Sequence, residues 1–99
     1  MINWKQITGF DWGTGNERKN VEKHDVSRFE AEQVFFNQPL LIFADPKHSQ
    51  DEKRYHALGR TNEKRLLHIT FALRSKETLI RVISARDMHR KERNIYEQN

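Results

Sequence analysis

The sequence of 99 residues contains no cysteine. Disulfide bonds and thiolate metal sites are therefore excluded, and the chain is compatible with a reducing compartment. No apolar run approaches the ~20 residues of a membrane-spanning helix, and residues 1–6 lack the apolar core of a signal peptide. We therefore expect a soluble cytoplasmic protein without membrane contact, folded as a single domain over residues 1–99.

The usual motifs of metal, nucleotide and acyl chemistry are also missing. The five histidines, at positions 24, 48, 56, 68 and 89, form no i, i+4 pair and no HExxH helix. There is no P-loop, no GxGxxG and no nucleophile elbow, although a Ser-His-Asp triad assembled by folding stays open. We expect no metal site and no cofactor.

Positive charge is what the sequence has in excess, and it is concentrated toward one end. The formal net charge is +4, and residues 64–93 contain nine Lys and Arg against three Asp and Glu. Such an asymmetry indicates a polyanionic or acidic partner, although a solvated surface would show the same pattern.

Hydrophobic periodicity predicts an α+β fold. We expect an antiparallel sheet of about four strands joined by short loops, with two N-terminal helices and one C-terminal helix packed on it. The helices are expected at 16–24, 28–36 and 86–97, and the strands at 40–44, 53–59, 65–74 and 78–85. The last strand has apolar residues on both faces and is expected to be central.

The second predicted helix has a clear start signal. Ser27 and Glu30 match a capping box. Phe29, Val34 and Phe36 are expected to make this helix the main contributor to the core.

The last strand is predicted to run directly into the C-terminal helix, with Ser84 and Arg86 at the join. Ser84 or Asp87 is expected to cap that helix. Polar groups on a rigid edge are often ligand contacts. Arg86, Arg90 and Arg93 recur at spacings that would place them on one helix face.

These basic residues suit RNA cleavage without a metal, because the 2′-OH of the substrate can supply the nucleophile. Arginine would stabilise the phosphorane-like transition state, and histidine or glutamate would move the protons. The candidates for proton transfer are His24, His56, His68, Glu52 and Glu92. An isolated histidine is more often a structural residue, so a non-catalytic nucleic-acid-binding module and a protein-interaction subunit remain alternatives.

Short motifs in a fixed order extend over nearly the whole chain. They are NVEKHDVSRFEA at 20–31, VFFNQP at 34–39, DPKH at 45–48, EKRY at 52–55, LGR at 58–60 and ISAR at 83–86, followed by Arg93, Tyr96 and Glu97. Each motif is weak by itself, but the ordered set is specific. Together they resemble the BrnT family of toxins from type II toxin–antitoxin systems.

This resemblance implies a RelE-like fold and a ribonuclease that inhibits translation. It also implies a BrnA-type antitoxin that binds the toxin and contacts DNA, and therefore a toxin–antitoxin hetero-oligomer. The predicted catalytic residues are His24, Arg54, Arg60, Arg86 and Tyr96. The predicted RNA-binding residues are Lys23, His56, Arg81, Ser84, Arg90 and Arg93. Asp87 departs from the family pattern, and we expect it to weaken the contact of Arg86 with phosphate.

Overall fold

The computed structural model describes residues 2–13 and 23–99. Two short 3₁₀ helices lie at Trp4–Gln6 and Pro46–His48. The strands are β1 (Gly9–Phe10), β2 (Leu41–Ala44), β3 (Arg54–Arg60), β4 (Leu66–Arg74) and β5 (Leu79–Asp87), and the helices are α1 (Arg28–Val34) and α2 (Arg90–Glu97). The helix predicted at 16–24 lies outside the described residues, except for Lys23 and His24, whose backbone is helical.

The sheet has five strands in the order β1-β5-β4-β3-β2. The four longer strands, β2 to β5, pair with one another in antiparallel fashion, whereas β1 pairs in parallel with β5. The α+β class is as predicted, but the four-stranded antiparallel sheet is wrong in strand number and direction. The added strand is tied by 2.8 Å hydrogen bonds from Thr8 N to Thr78 O and from Asp11 N to Ile80 O. β4 is the central strand.

The two helices pack on opposite faces of the sheet. Ala57 belongs to the main core with Ala31 and Val34 of α1, whereas its neighbour Leu58 belongs to a smaller cluster with Tyr96 of α2. Successive residues of a strand point to opposite faces, so the two clusters lie on different sides. Among the described residues, no helix has the length and apolar character needed to cross a bilayer.

Helix α1 begins as predicted and ends earlier than predicted. The Ser27 side chain accepts from Glu30 N, and the Glu30 side chain accepts from Ser27 N, which confirms the capping box. Phe29 and Phe36 are 70% and 77% exposed, so their assignment to the core is wrong. Phe29 lies about 200° around the helix from the buried Ala31, and Phe36 lies beyond the last helical residue.

The C-terminal helix starts at Arg90 because β5 continues through Asp87. Arg86 pairs with His68 of β4, so it is a strand residue and does not share a helix face with Arg90 and Arg93, contrary to the prediction. His89 is the N-cap, in place of Ser84 or Asp87.

Candidate active site

The face of the sheet that carries α2 also carries a row of polar side chains. In the register of the three central strands, His56 pairs with Thr70 and Thr70 pairs with Ser84, while His68 pairs with Arg86. Residues paired directly across an antiparallel ladder point to the same face. We call His56, His68, Thr70, Ser84 and Arg86 the polar row.

His56 is held at both ring nitrogens. Its Nε2 lies 3.0 Å from Oδ2 of Asp45, and its Nδ1 lies 3.1 Å from Oγ1 of Thr70. The ring centroid is 4.8 Å from that of His68. These contacts give the His56 ring a defined orientation on the sheet.

Asp45 follows β2 and is buried at the start of the second 3₁₀ helix. The same Oδ2 that contacts His56 also lies 3.0 Å from Nδ1 of His48. Burial by itself would raise the pKa of Asp45, but the hydrogen bond and charge of His48, together with the charge of His56, outweigh it and lower the pKa. Asp45 is therefore a carboxylate at neutral pH and acts only as an acceptor.

His68 is the most enclosed member of the polar row, with 11% of its side chain exposed. Burial, reinforced by the positive charge of Arg86, lowers its pKa from 6.5 to about 4. Its Nδ1 has no hydrogen-bond partner among the described residues. His68 is consequently a neutral imidazole at pH 7.

Arg86 is bound end-on by a carboxylate. Its Nη1 and Nη2 donate to Oε1 and Oε2 of Glu92 at 2.8 and 2.9 Å, and Nη1 also donates to the carbonyl of Asp87. Burial opposes ionisation of Glu92, but the hydrogen bonds from Arg86 and from His89 N lower its pKa to about 2. Glu92, a candidate for proton transfer, is thus ionised at neutral pH and cannot act there as a general acid.

The carboxylate of Asp87 does not take the position beside Arg86 that the sequence suggested. Arg65 holds it, with Nε and Nη2 at 2.8 and 3.1 Å, and lowers its pKa. Arg65 also donates to Glu30 and to the carbonyls of His24 and Asp25. The acid that Arg86 meets is therefore Glu92, and Arg65 fixes the backbone at His24.

Lys23 and His24 border a shallow recess together with Arg86 and His89. The structure therefore brings His24 close to Arg86, as the functional prediction requires. Arg86 is therefore shared by this recess and by the polar row.

Other predicted residues lie at the margins of this surface or are engaged elsewhere. Arg54 lies two residues before His56 on the same face and borders a separate recess, where Glu52 pairs with Arg74 at 2.9 Å. Arg81 is paired with Asp11 at 2.7 Å beside β1.

Tyr96 is buried on α2, and its hydroxyl donates to the carbonyl of Pro39 at 2.7 Å. Burial raises its pKa. Arg60 ends β3 on the side of α2, and Arg90 and Arg93 are exposed on α2 itself. The structure therefore gathers His24, His56, Ser84 and Arg86, and leaves Arg54, Arg81 and Tyr96 outside that group.

Sequence reasoning did not identify Asp45 or Thr70 as members of the site. Thr70 alternates with His68 along β4 and was visible only as part of a strand. Asp45 depends on a turn that folds back onto β3, where Asp45 N donates to Arg54 O. Within residues 2–13 and 23–99, no group of three or more His, Cys, Asp or Glu side chains is arranged to hold a metal ion.

The fold and the surface define a small α+β protein with a cationic, histidine-containing sheet face, a class of site suited to a polyanion. The family model described as "Ribonuclease toxin, BrnT, of type II toxin-antitoxin system" matches residues 12–92. The chain therefore belongs to the BrnT family, and the predicted family assignment is confirmed. It is accordingly a ribonuclease toxin of a type II system, a class that implies an RNA substrate and an antitoxin partner.

A solved structure supports the fold. The ribonuclease toxin BrnT of Brucella abortus matches with a TM-score of 0.61 and 19% sequence identity, covering 84% of this chain and 99% of that chain. At this identity the likeness concerns the fold alone. No curated protein sequence matches the chain.

Proposed function

We propose that this toxin is a metal-independent endoribonuclease in which the 2′-OH of RNA attacks the adjacent phosphate. The observation that supports this is the position of Arg86, which shares the polar row with His56 and lines a recess with His24. This arrangement offers a fixed positive charge and two groups capable of proton transfer, which are the components that the reaction needs from a protein.

Arg86 is proposed to stabilise the charge that develops on the phosphate. A guanidinium has five N–H donors, and the contacts of Arg86 with Glu92 and Asp87 use three of them. Among the described residues, Nε–H and the second N–H of Nη2 have no hydrogen-bond partner. These two groups lie on one edge of the guanidinium plane, and that edge matches two oxygens of a phosphate.

His56 is proposed to take the proton of the 2′-OH, and His24 to protonate the leaving 5′-oxygen. His56 is half-buried and oriented by Asp45, and His24 lines a recess together with Arg86. Glu92 is unsuited to either role because its pKa is about 2. His68 is proposed to remain a neutral neighbour of the phosphate site, because burial opposes its protonation.

Other predicted site residues, all basic except for one serine, are proposed to contact the RNA backbone. Lys23, Ser84, Arg90 and Arg93 border the site, and Arg54 and Arg60 extend it along β3. Arg81 and Tyr96 are not carried forward, because Nη2 of Arg81 is paired with Asp11 beside β1 and the hydroxyl of Tyr96 donates to the carbonyl of Pro39.

The antitoxin is proposed to be a BrnA-type protein that covers this basic surface and binds DNA itself, giving a toxin–antitoxin hetero-oligomer. Neutralisation would then follow from occlusion of Arg86 and His56. The action on RNA and translation would take place in the cytoplasm.

The test is incubation of the purified, folded chain with RNA in EDTA, with and without the antitoxin encoded beside it. We expect cleavage that EDTA does not diminish, products ending in a 2′,3′-cyclic phosphate, and suppression by the antitoxin. Tight, salt-sensitive binding with intact RNA would instead establish the alternative, a non-catalytic nucleic-acid-binding module.

A further inference from the structure

Asp45, His56 and Thr70 form a continuous hydrogen-bonded chain across three elements. Asp45 lies after β2, His56 on β3 and Thr70 on β4, and the two links measure 3.0 and 3.1 Å. The carboxylate is buried and its own backbone is anchored to β3 through the 2.9 Å bond from Asp45 N to Arg54 O. The chain therefore joins a fixed carboxylate to a ring in the polar row.

The charge state of Asp45 decides which nitrogen of His56 carries the proton. An ionised carboxylate only accepts hydrogen bonds, so Nε2 of His56 must be the donor. In the neutral ring Nδ1 is then unprotonated and accepts from the hydroxyl of Thr70. A hydroxyl group thus already occupies the position from which Nδ1 can take a proton.

We propose that Asp45 is a positioning residue that fixes His56 in the Nε2-protonated tautomer and makes Nδ1 the atom that takes up, through the hydroxyl of Thr70, the proton released by the 2′-OH. The proposal rests on the proposed ribonuclease function. In the step itself, the 2′-oxygen bonds to phosphorus as its proton passes to Oγ1 of Thr70, and the hydroxyl proton of Thr70 passes to Nδ1 of His56. The bond from phosphorus to the 5′-oxygen breaks as that oxygen takes a proton from His24.

The negative charge of Asp45 has a second consequence. When Nδ1 takes up the proton, the ring becomes an imidazolium, and a carboxylate 3.0 Å from Nε2 stabilises that cation. Asp45 therefore acts on the rate of the chemical step through His56 and makes no contact with RNA.

The test combines nitrogen NMR of the His56 ring with single-turnover cleavage, using the full chain and the variants Asp45→Asn and Asp51→Asn. Asparagine keeps the size of the side chain and removes its charge. Loss of general base catalysis costs roughly 10²- to 10⁴-fold, so we expect Asp45→Asn to lower the rate at saturating protein at least about tenfold, with little change in RNA affinity. The His56 tautomer should shift in the same variant.

Asp51→Asn is the matched control, because it makes the same change of charge at an exposed position of the same turn. It should keep both the tautomer and the rate. An equal loss in Asp51→Asn would place the effect in the turn and overturn the proposal. A wild-type His56 protonated on Nδ1 alone, or an unchanged rate in a folded Asp45→Asn, would overturn it as well.

The experiment distinguishes failure of the proposed ribonuclease function from failure of the proposed positioning role of Asp45. A wild-type protein that leaves RNA intact rejects the catalytic role of Asp45 together with the ribonuclease proposal. If the wild-type protein does cleave RNA but the tautomer of His56 is the same in Asp45→Asn, only the positioning role of Asp45 is rejected.

Discussion

Glu92 occupies the end-on edge of the Arg86 guanidinium, through hydrogen bonds of 2.8 and 2.9 Å. The same carboxylate accepts from His89 N at 2.8 Å and so joins the start of α2 to β5. A single acid thus orients the central arginine of the site and lowers the positive potential that an RNA phosphate meets there.

Replacement of Glu92 by glutamine should strengthen RNA binding. The amide oxygen can still accept from His89 N, whereas the negative charge beside Arg86 is lost. Repulsion between two like charges in contact costs about 1 kcal/mol in water. Removing it corresponds to a gain of roughly fivefold in RNA affinity. Binding is measured with 2′-O-methyl RNA, which lacks the attacking hydroxyl. Glu97→Gln makes the same charge change at the far end of α2, and an equal gain in that variant would contradict the local effect.

The stability of the fold should depend on pH through His68. Its pKa is about 4 when folded and 6.5 when unperturbed, so between these values the unfolded chain binds the proton and the folded chain does not. The contribution of neutral His68 to the free energy of unfolding is therefore fully present above pH 6.5 and is lost as the pH falls to about 4. This difference between the two pKa values corresponds to roughly 3 kcal/mol in the free energy of unfolding.

Urea unfolding across this range checks the His68 prediction. His68→Gln should flatten the pH dependence of the free energy of unfolding, whereas His89→Gln, at an exposed position, should leave it as in the wild type. A similar slope in His68→Gln and wild type would show that His68 does not titrate on unfolding. Glu92 contributes in a lower window, from its unperturbed pKa of 4.5 down to about 2.

Arg65 should be more important for stability than its position in a loop suggests. It contacts Asp87, Glu30 and two backbone carbonyls. Removing it takes the cationic partner from Asp87 and Glu30 and one donor from each carbonyl, and we expect Arg65→Ala to lower the free energy of unfolding by about 2–3 kcal/mol.

The control is Arg28→Ala, because Arg28 makes an exposed i, i+4 pair with Glu32. Such pairs are worth about 0.3–0.5 kcal/mol. Equal losses in the two variants, measured by urea denaturation, would mean that Arg65 is an ordinary surface residue.

Local features of the fold could be predicted from the sequence, and features set by distant pairing could not. The capping box of Ser27 and Glu30 acts within four residues, and the strands after it follow from alternation. β1 has two residues, Gly9 and Phe10, and its partner lies 70 positions away, so its parallel pairing left no local signal. Residues 86–89 suit a helix start by composition, but pairing with β4 extends β5 through Asp87.

The contacts of the candidate site also divide into those that a local sequence pattern predicts and those that depend on distant pairing. Alternation along β3 is sufficient to place Arg54 and His56 on one face of the sheet. The meeting of His68 with Arg86 depends on the register of β4 and β5, which shifts at an irregularity between Thr70 and Phe71. Asp45 reaches His56 only because the turn after β2 folds back onto β3. Register and turn geometry decide these contacts, and neither is encoded in a local pattern.

The central claim is that Arg86 stabilises the cleavage transition state, and the single-turnover rate of RNA cleavage in EDTA tests it most directly. The comparison is Arg86→Ala against Lys5→Ala, which removes the same charge from an exposed position in the first 3₁₀ helix. Loss of one transition-state donor typically costs 10²- to 10³-fold. We predict a loss of about that size for Arg86→Ala and no loss for Lys5→Ala. A folded Arg86→Ala protein that cleaves RNA as fast as Lys5→Ala would contradict the account.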